Sequence, residues 1–179
     1  MKITETNLKD AYIIANQKFE DNRGFFIESF KLREFEKITG ESNFVQDNHS
    51  KSSKGVLRGL HYQIQHVQGK LVRCISGAVF DVIVDLRKSS PTFGKWFGIK
   101  LSENNLQLWV PPGFAHGFYT LTDFAEVQYK VTDYYYPEYD RTLLWSDINL
   151  GIEWAIDGDP ILSEKDLKGK TFDECEKYD

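Results

Sequence analysis

Three side chains in this sequence stand where they could move a proton. His61 lies near the end of a stretch, residues 46–63, that is unusually polar for a segment entering a strand. His116 ends the run Pro111-Pro112-Gly113-Phe114-Ala115-His116. In that run proline fixes φ, glycine frees it, and the turn delivers a histidine into the next strand. Tyr129 belongs to residues 124–131, where Ala125, Val127, Tyr129 and Val131 share one face and Glu126, Gln128 and Lys130 the other. A neutral imidazole is matched to proton abstraction near pH 7, and a buried phenol needs a partner for its hydroxyl. Each residue also has an inert reading. His61 could be a satisfied histidine in a solvated loop and edge strand, and Tyr129 a core aromatic. The histidines form no His-x-His pair, since Tyr62 and Gln63 follow His61, so no metal is expected. Neither a Gly-x-Gly-x-x-Gly loop nor a phosphate loop is present, so no dinucleotide cofactor is expected.

The elements that must position these groups read mainly as strands. Residues 70–86 form two β-rich runs around Ser76-Gly77, and residues 96–101, 106–110, 117–122 and 124–131 form further short runs between turn-forming stretches. Many short strands at regular spacing predict a sandwich or small barrel, whose interior would hold a ligand cavity. The best helix is residues 31–39, with Ser29 as its cap, Leu32, Phe35 and Ile38 on one face, and Gly40 as its end. A short helix is expected after Ile161. At 179 residues and 41% apolar content the chain suits one domain, residues 1–179.

Charge narrows the function classes. The net charge is −5, and residues 157–179 alone carry eight acids against four lysines. A nucleic-acid binder normally presents a basic surface, so that class is disfavoured, although a few arginines in a pocket can still hold a small anion. No apolar run approaches the ~20 residues of a membrane span, and the polar first ten residues lack a signal core, so a cytoplasmic protein with no membrane partner is expected. Cys74 and Cys175 make neither a disulfide framework nor a zinc cluster, and Cys74 reads as packed.

The Pro111–His116 pattern resembles the second signature of the cupin superfamily of jelly-roll barrels. A closer resemblance runs through nearly the whole chain. Asp21-Asn22-Arg23-Gly24-Phe25-Phe26, residues 46–63, Gly69-Lys70-Leu71-Val72-Arg73-Cys74, Phe80-Asp81-Val82, Asp85-Leu86-Arg87-Lys88-Ser89-Ser90-Pro91, Gly113-Phe114-Ala115-His116-Gly117-Phe118, Tyr134-Tyr135 and Leu162-Ser163-Glu164-Lys165-Asp166 appear in the order of the dTDP-4-dehydrorhamnose 3,5-epimerases. The resemblance implies an all-β cupin-type barrel with a few short peripheral helices. It also implies a cofactor-independent epimerase acting on a dTDP-linked 4-keto-6-deoxyhexose, and a homodimer that exchanges an N-terminal strand. Through it, His61 becomes the base, Asp166 its carboxylate partner, Tyr129 the acid on the opposite face, and Lys70 the cation beside a developing enolate. Arg23, Glu28, Gln46, Asn48 and Arg58 match substrate contacts, Tyr135 the aromatic that stacks on thymine, and His116 and Lys165 polar positions lining the site. Asp140 stands where the family commonly has glutamate, one methylene longer.

Two other readings stay open at this stage. One is a single epimerase, or an epimerase of another sugar nucleotide. The other is a non-catalytic sugar-binding cupin. A geometric tension also stays open: Arg58 and His61 are three apart and should face opposite sides of a regular strand, unless Gly55 or Gly59 marks a bulge or Arg58 serves a neighbouring subunit.

Overall fold

The computed structural model describes residues 1–41 and 43–179. In chain order the strands are β1 (Lys2–Glu5), β2 (Tyr12–Ala15), β3 (Lys18–Asp21), β4 (Gly24–Ile27), β5 (Gln46–Ser53), β6 (Leu57–Gln63), β7 (Lys70–Ser76), β8 (Ala78–Asp85), β9 (Trp96–Ser102), β10 (Leu106–Val110), β11 (Phe114–Thr120), β12 (Phe124–Val131) and β13 (Asp140–Thr142). Helix α1 spans Leu32–Thr39 and helix α2 Glu164–Leu167. Strands β5 to β12 wind as a jelly roll, in which the first lies beside the last and the second beside the seventh. One sheet runs β1-β2-β10-β7-β12-β5 and the other β13-β6-β11-β8-β9, while β3 and β4 form a separate hairpin. The expected cupin-type barrel with short helices is the architecture found.

The two sheets pack face to face. Val72, Leu108 and Val127 of the first meet Val79, Ile83 and Phe118 of the second in a common buried cluster. The five-stranded sheet is also covered on its outer face, where Val82, Val84, Leu60 and Ala115 pack against Leu143, Leu150 and Cys175 of the C-terminal segment. Burial on both faces explains why β8 is nearly all apolar. On the outer face of the six-stranded sheet, Phe35 of α1 packs edge-on against Trp109, with ring centroids 5.0 Å apart.

Several sequence expectations shift. The helix starts at Leu32, and its cap position is Lys31, which gives no side-chain cap bond. Ser29 serves instead through its carbonyl, which accepts from Asn16 and Gln107. Of the predicted apolar face only Phe35 is buried, while Leu32 stays exposed. Gly40 ends the helix as expected, in the left-handed conformation that residues with a Cβ disfavour. Strand β11 begins three residues before the predicted run, so His116 lies within it.

The Arg58–His61 tension resolves at Gly59. His116 of β11 pairs with His61, and Phe118 pairs with Arg58, so two steps on β11 oppose three on β6. The extra residue is a bulge that brings Arg58 and His61 to the same side. Gly59 has φ +124°, and a Cβ there would sit 2.6 Å from the Gly117 Cα. Gly59→Ala combines backbone strain with a backbone clash, so a loss of roughly 2–5 kcal/mol is expected in urea-unfolding measurements. Unchanged stability would remove the bulge as a constraint.

Candidate active site

Between the sheets, at one end of the barrel, lies a cavity of about 350 Å³. His61 and His116 reach it from the five-stranded sheet, and Lys70 and Tyr129 from the six-stranded one. Gln46, Asn48, Arg58, Tyr135, Asp140 and Lys165 belong to its polar lining, together with Ser50, Gln63 and Gln68. Strand β5 explains its own composition here. Its inward positions Gln46, Asn48 and Ser50 face a cavity rather than a core, so they are polar. Arg23 and Glu28 do not reach this cavity within the chain. Arg23 is tied to Asp21 at the tip of the β3–β4 hairpin, and Glu28 pairs with Lys31.

Asp166 supports His61 from behind. It is 2% exposed and sits in the first turn of α2. One oxygen, Oδ2, accepts from the Ser163 hydroxyl at 2.6 Å in a capping box. The other, Oδ1, accepts from Gly59 N–H at 3.2 Å and meets His61 Nε2 at 2.6 Å. Burial opposes ionisation of this carboxyl, but hydrogen bonds from His61, Ser163 and Gly59 outweigh it and hold the group at about 2. A carboxylate on Nε2 keeps that nitrogen protonated and leaves Nδ1 as the basic atom. Burial lowers the His61 pKa from its ordinary value, and the bond to Asp166 pulls it partly back. The ring is therefore neutral at pH 7.

The opposite wall carries proton donors and positive charge. Burial raises the Tyr129 pKa, with Arg58 partly offsetting it, so the phenol keeps its proton at neutral pH. The Lys70 amine donates to the His61 carbonyl at 3.3 Å, and burial brings its pKa down to about 8 despite Asp140 and Asp81. His116 lies edge-on to Tyr129, with ring centroids 6.2 Å apart. Its Nε2 sits 3.0 Å from both carboxylate oxygens of the buried Asp81. Among the described residues no group of three or more His, Cys, Asp or Glu has the arrangement of a metal site.

The rest of the cavity lining is cationic and aromatic. Arg58 is oriented by Ser52, whose hydroxyl accepts from Nε at 2.9 Å. The Asp140 carboxylate accepts from the Tyr135 hydroxyl at 3.0 Å and also pairs with Lys165. Sequence reading missed Asp81, Ser52 and Ser163 as supporting residues. Asp81 had a signal, since a lone acid inside the apolar run of β8 needs a buried partner. Ser52 and Ser163 had none beyond their neighbours.

Similarity to known proteins agrees with this geometry. Residues 5–174 match the sequence profile of the dTDP-4-dehydrorhamnose 3,5-epimerases. A relative of that description from Neisseria gonorrhoeae is 55% identical over 99% of this chain, which spans only 54% of that protein's length. One from Pseudomonas aeruginosa is 52% identical over 99% of both chains. The solved structure of a dTDP-6-deoxy-D-glucose-3,5-epimerase from Legionella pneumophila, in complex with dTDP-4-keto-L-rhamnose, superposes with a TM-score of 0.95 at 47% identity, covering 98% of this chain and 94% of the other. A profile match over residues 5–174 and a relative half identical along its full length show that this chain belongs to the dTDP-4-dehydrorhamnose 3,5-epimerase family.

Proposed function

We propose that this enzyme inverts C3 and C5 of dTDP-4-dehydro-6-deoxy-D-glucose to give dTDP-4-dehydro-L-rhamnose, in the cytoplasm, toward an L-rhamnose donor for cell-surface polysaccharide. The observation that carries the reading is one cavity receiving His61, backed by Asp166 of α2, from one sheet and Tyr129 with Lys70 from the other. The C4 ketone acidifies the hydrogens on both neighbouring carbons. His61 Nδ1 removes one of them, and the electron pair moves into the carbonyl to form an enolate. Asp166 steadies the imidazolium as it forms. The Lys70 ammonium stabilises the enolate oxygen more than the ketone it came from. Tyr129 then protonates the carbon from the opposite face, and both side chains exchange their protons with solvent before the second centre reacts. The step is redox-neutral and consumes no co-reactant.

Arg58 suits the pyrophosphate, since a guanidinium offers planar paired donors, and Tyr135 suits stacking on the base. Gln46, Asn48, Lys165 and Asp140 surround the same end, with His116 beside Tyr129 at the sugar end. Arg23 and Glu28 act from a second copy of the chain. Supporting this, the hairpin that carries Arg23 leaves Phe25 60% and Phe26 64% exposed, an apolar patch that a homodimer would cover.

Three outcomes are expected. In deuterated water, purified protein with the keto sugar alone exchanges the protons at both C3 and C5 by NMR. His61→Ala slows exchange about 10²–10⁴-fold, and Tyr129→Phe retains exchange at one carbon yet fails to complete inversion. Absence of exchange at either carbon in the wild-type protein removes the epimerase reading. The pH dependence of kcat/KM follows the neutral form of His61, so activity is present above its folded pKa and lost as pH falls through it. That midpoint lies below the ordinary 6.5 of histidine, and Asp166→Asn, which deletes the partner that raises the value, moves it lower still. A midpoint above 6.5 would contradict the assignment. Finally, mixing Arg23→Ala with His61→Ala subunits restores part of the activity that each lacks, because one site of the mixed dimer keeps both residues. No restoration after subunit exchange speaks against the shared site.

A further inference from the structure

The turn that carries Tyr135 is irregular, and Tyr135 itself is 53% exposed, so packing does not fix the ring. Side chains hold its backbone instead: Gln46 Oε1 accepts from the Tyr135 N–H at 3.4 Å, and the shorter bonds on either side of it come from one residue of β6. Gln63, 4% exposed, lies two residues beyond His61 on β6. Its Nε2 donates to the Tyr134 carbonyl at 3.1 Å and to the His66 carbonyl at 2.7 Å. Its Oε1 accepts from Tyr136 N–H at 2.6 Å. The backbone is therefore held immediately before and immediately after Tyr135. The amide can point only one way, because its nitrogen faces two carbonyls and its oxygen faces an N–H. With both donors engaged on the main chain, this side chain has no N–H left for a ligand.

The register adds the second half of the clamp. Gln63 pairs directly with Asp140 on β13, and Asp140 accepts from the Tyr135 hydroxyl at 3.0 Å. Neighbouring residues on two paired strands thus hold the ring at both ends, one by its backbone and the other by its phenol. The carbonyl of His66, the other group that Gln63 grips, belongs to a loop whose imidazole stacks on Tyr136 with centroids 4.1 Å apart. The two loops flanking the nucleotide end are pinned to one amide.

We infer that Gln63 is a positioning residue for nucleotide recognition. It sets the pose of Tyr135 and through it the affinity for the dTDP moiety, without touching the reacting sugar. The inference rests on the reading of Tyr135 as the base platform. Gln63→Glu is the sharpest probe, since it keeps the volume and the acceptor, removes both donors, and turns an oxygen toward two carbonyls. Gln63→Met, apolar and of similar volume, serves if that variant does not fold.

The experiment compares four proteins: the wild type, Gln63→Glu, Tyr135→Ala and the double variant. Binding of dTDP is measured by calorimetry, and turnover by steady-state kinetics on the keto sugar. Gln63→Glu is expected to weaken dTDP binding and raise KM about tenfold, while kcat stays within about threefold. The double variant binds dTDP no more weakly than Tyr135→Ala alone, because Gln63 acts through that ring. Additive losses in the double variant, or a collapse of kcat at unchanged KM, would overturn the proposal. Wild-type dTDP affinity in Gln63→Glu, beside weakened binding in Tyr135→Ala, would overturn it while leaving the platform reading intact. Wild-type affinity in Tyr135→Ala would take down the platform reading first and the proposal with it.

Discussion

The contact on which the site depends is the 2.6 Å bond between Asp166 and His61, two residues 105 apart in sequence. A buried carboxylate is stable only when its lone pairs are occupied. Asp166 meets that demand by dividing its oxygens. One belongs to the local cap of its own helix, and the other to the bulged strand through the Gly59 N–H and the His61 ring. The short helix α2, too brief to be stable alone, is thereby docked where the imidazole needs an anion. The bulge matters for the same reason. It presents Arg58 and His61 to one cavity and turns the Gly59 N–H toward the carboxylate, so the guanidinium and the imidazole owe their shared orientation to a single backbone irregularity.

Much of this was legible in the residues. The alternation of residues 124–131 placed Tyr129 on the interior side, and the observed strand buries Ala125, Val127 and Val131 and leaves Tyr129 half-buried at the cavity. The turn at Pro111–Gly113 delivered His116 into a strand, as read. Hydrophobic patterning succeeded for β7 to β10 and β12, which face core, but passed over the short strand β2, whose Ile14 is buried. It failed at β5, which a polarity rule assigns to a solvated loop. That strand's inward side chains line a cavity, so the usual link between burial and apolar character does not hold there.

Other features lay outside the reach of local pattern. Joining His61 to Asp166 required the resemblance or the fold, since nothing in either segment names the other. Gly59 was one of two candidate bulge positions, and only the register with β11 selects it. Ser29 had the composition of a helix cap, yet its carbonyl is spent on Asn16 and Gln107, and the helix starts later without a side-chain cap. Tertiary demand overrode local propensity in that case.

The pairing of β5 with β12 has a further consequence for how the chain reaches its native state. Register partners such as Ser53 and Phe124 are separated by most of the barrel, so β5 must wait for synthesis of the intervening segment before its ladder can close. A waiting strand is a template for wrong association when it is apolar. Here the eight residues Gln46–Ser53 contain no aliphatic or aromatic side chain apart from the imidazole of His49. The polarity that equips the finished pocket for a sugar nucleotide therefore also keeps the nascent strand in solution while its partner is made.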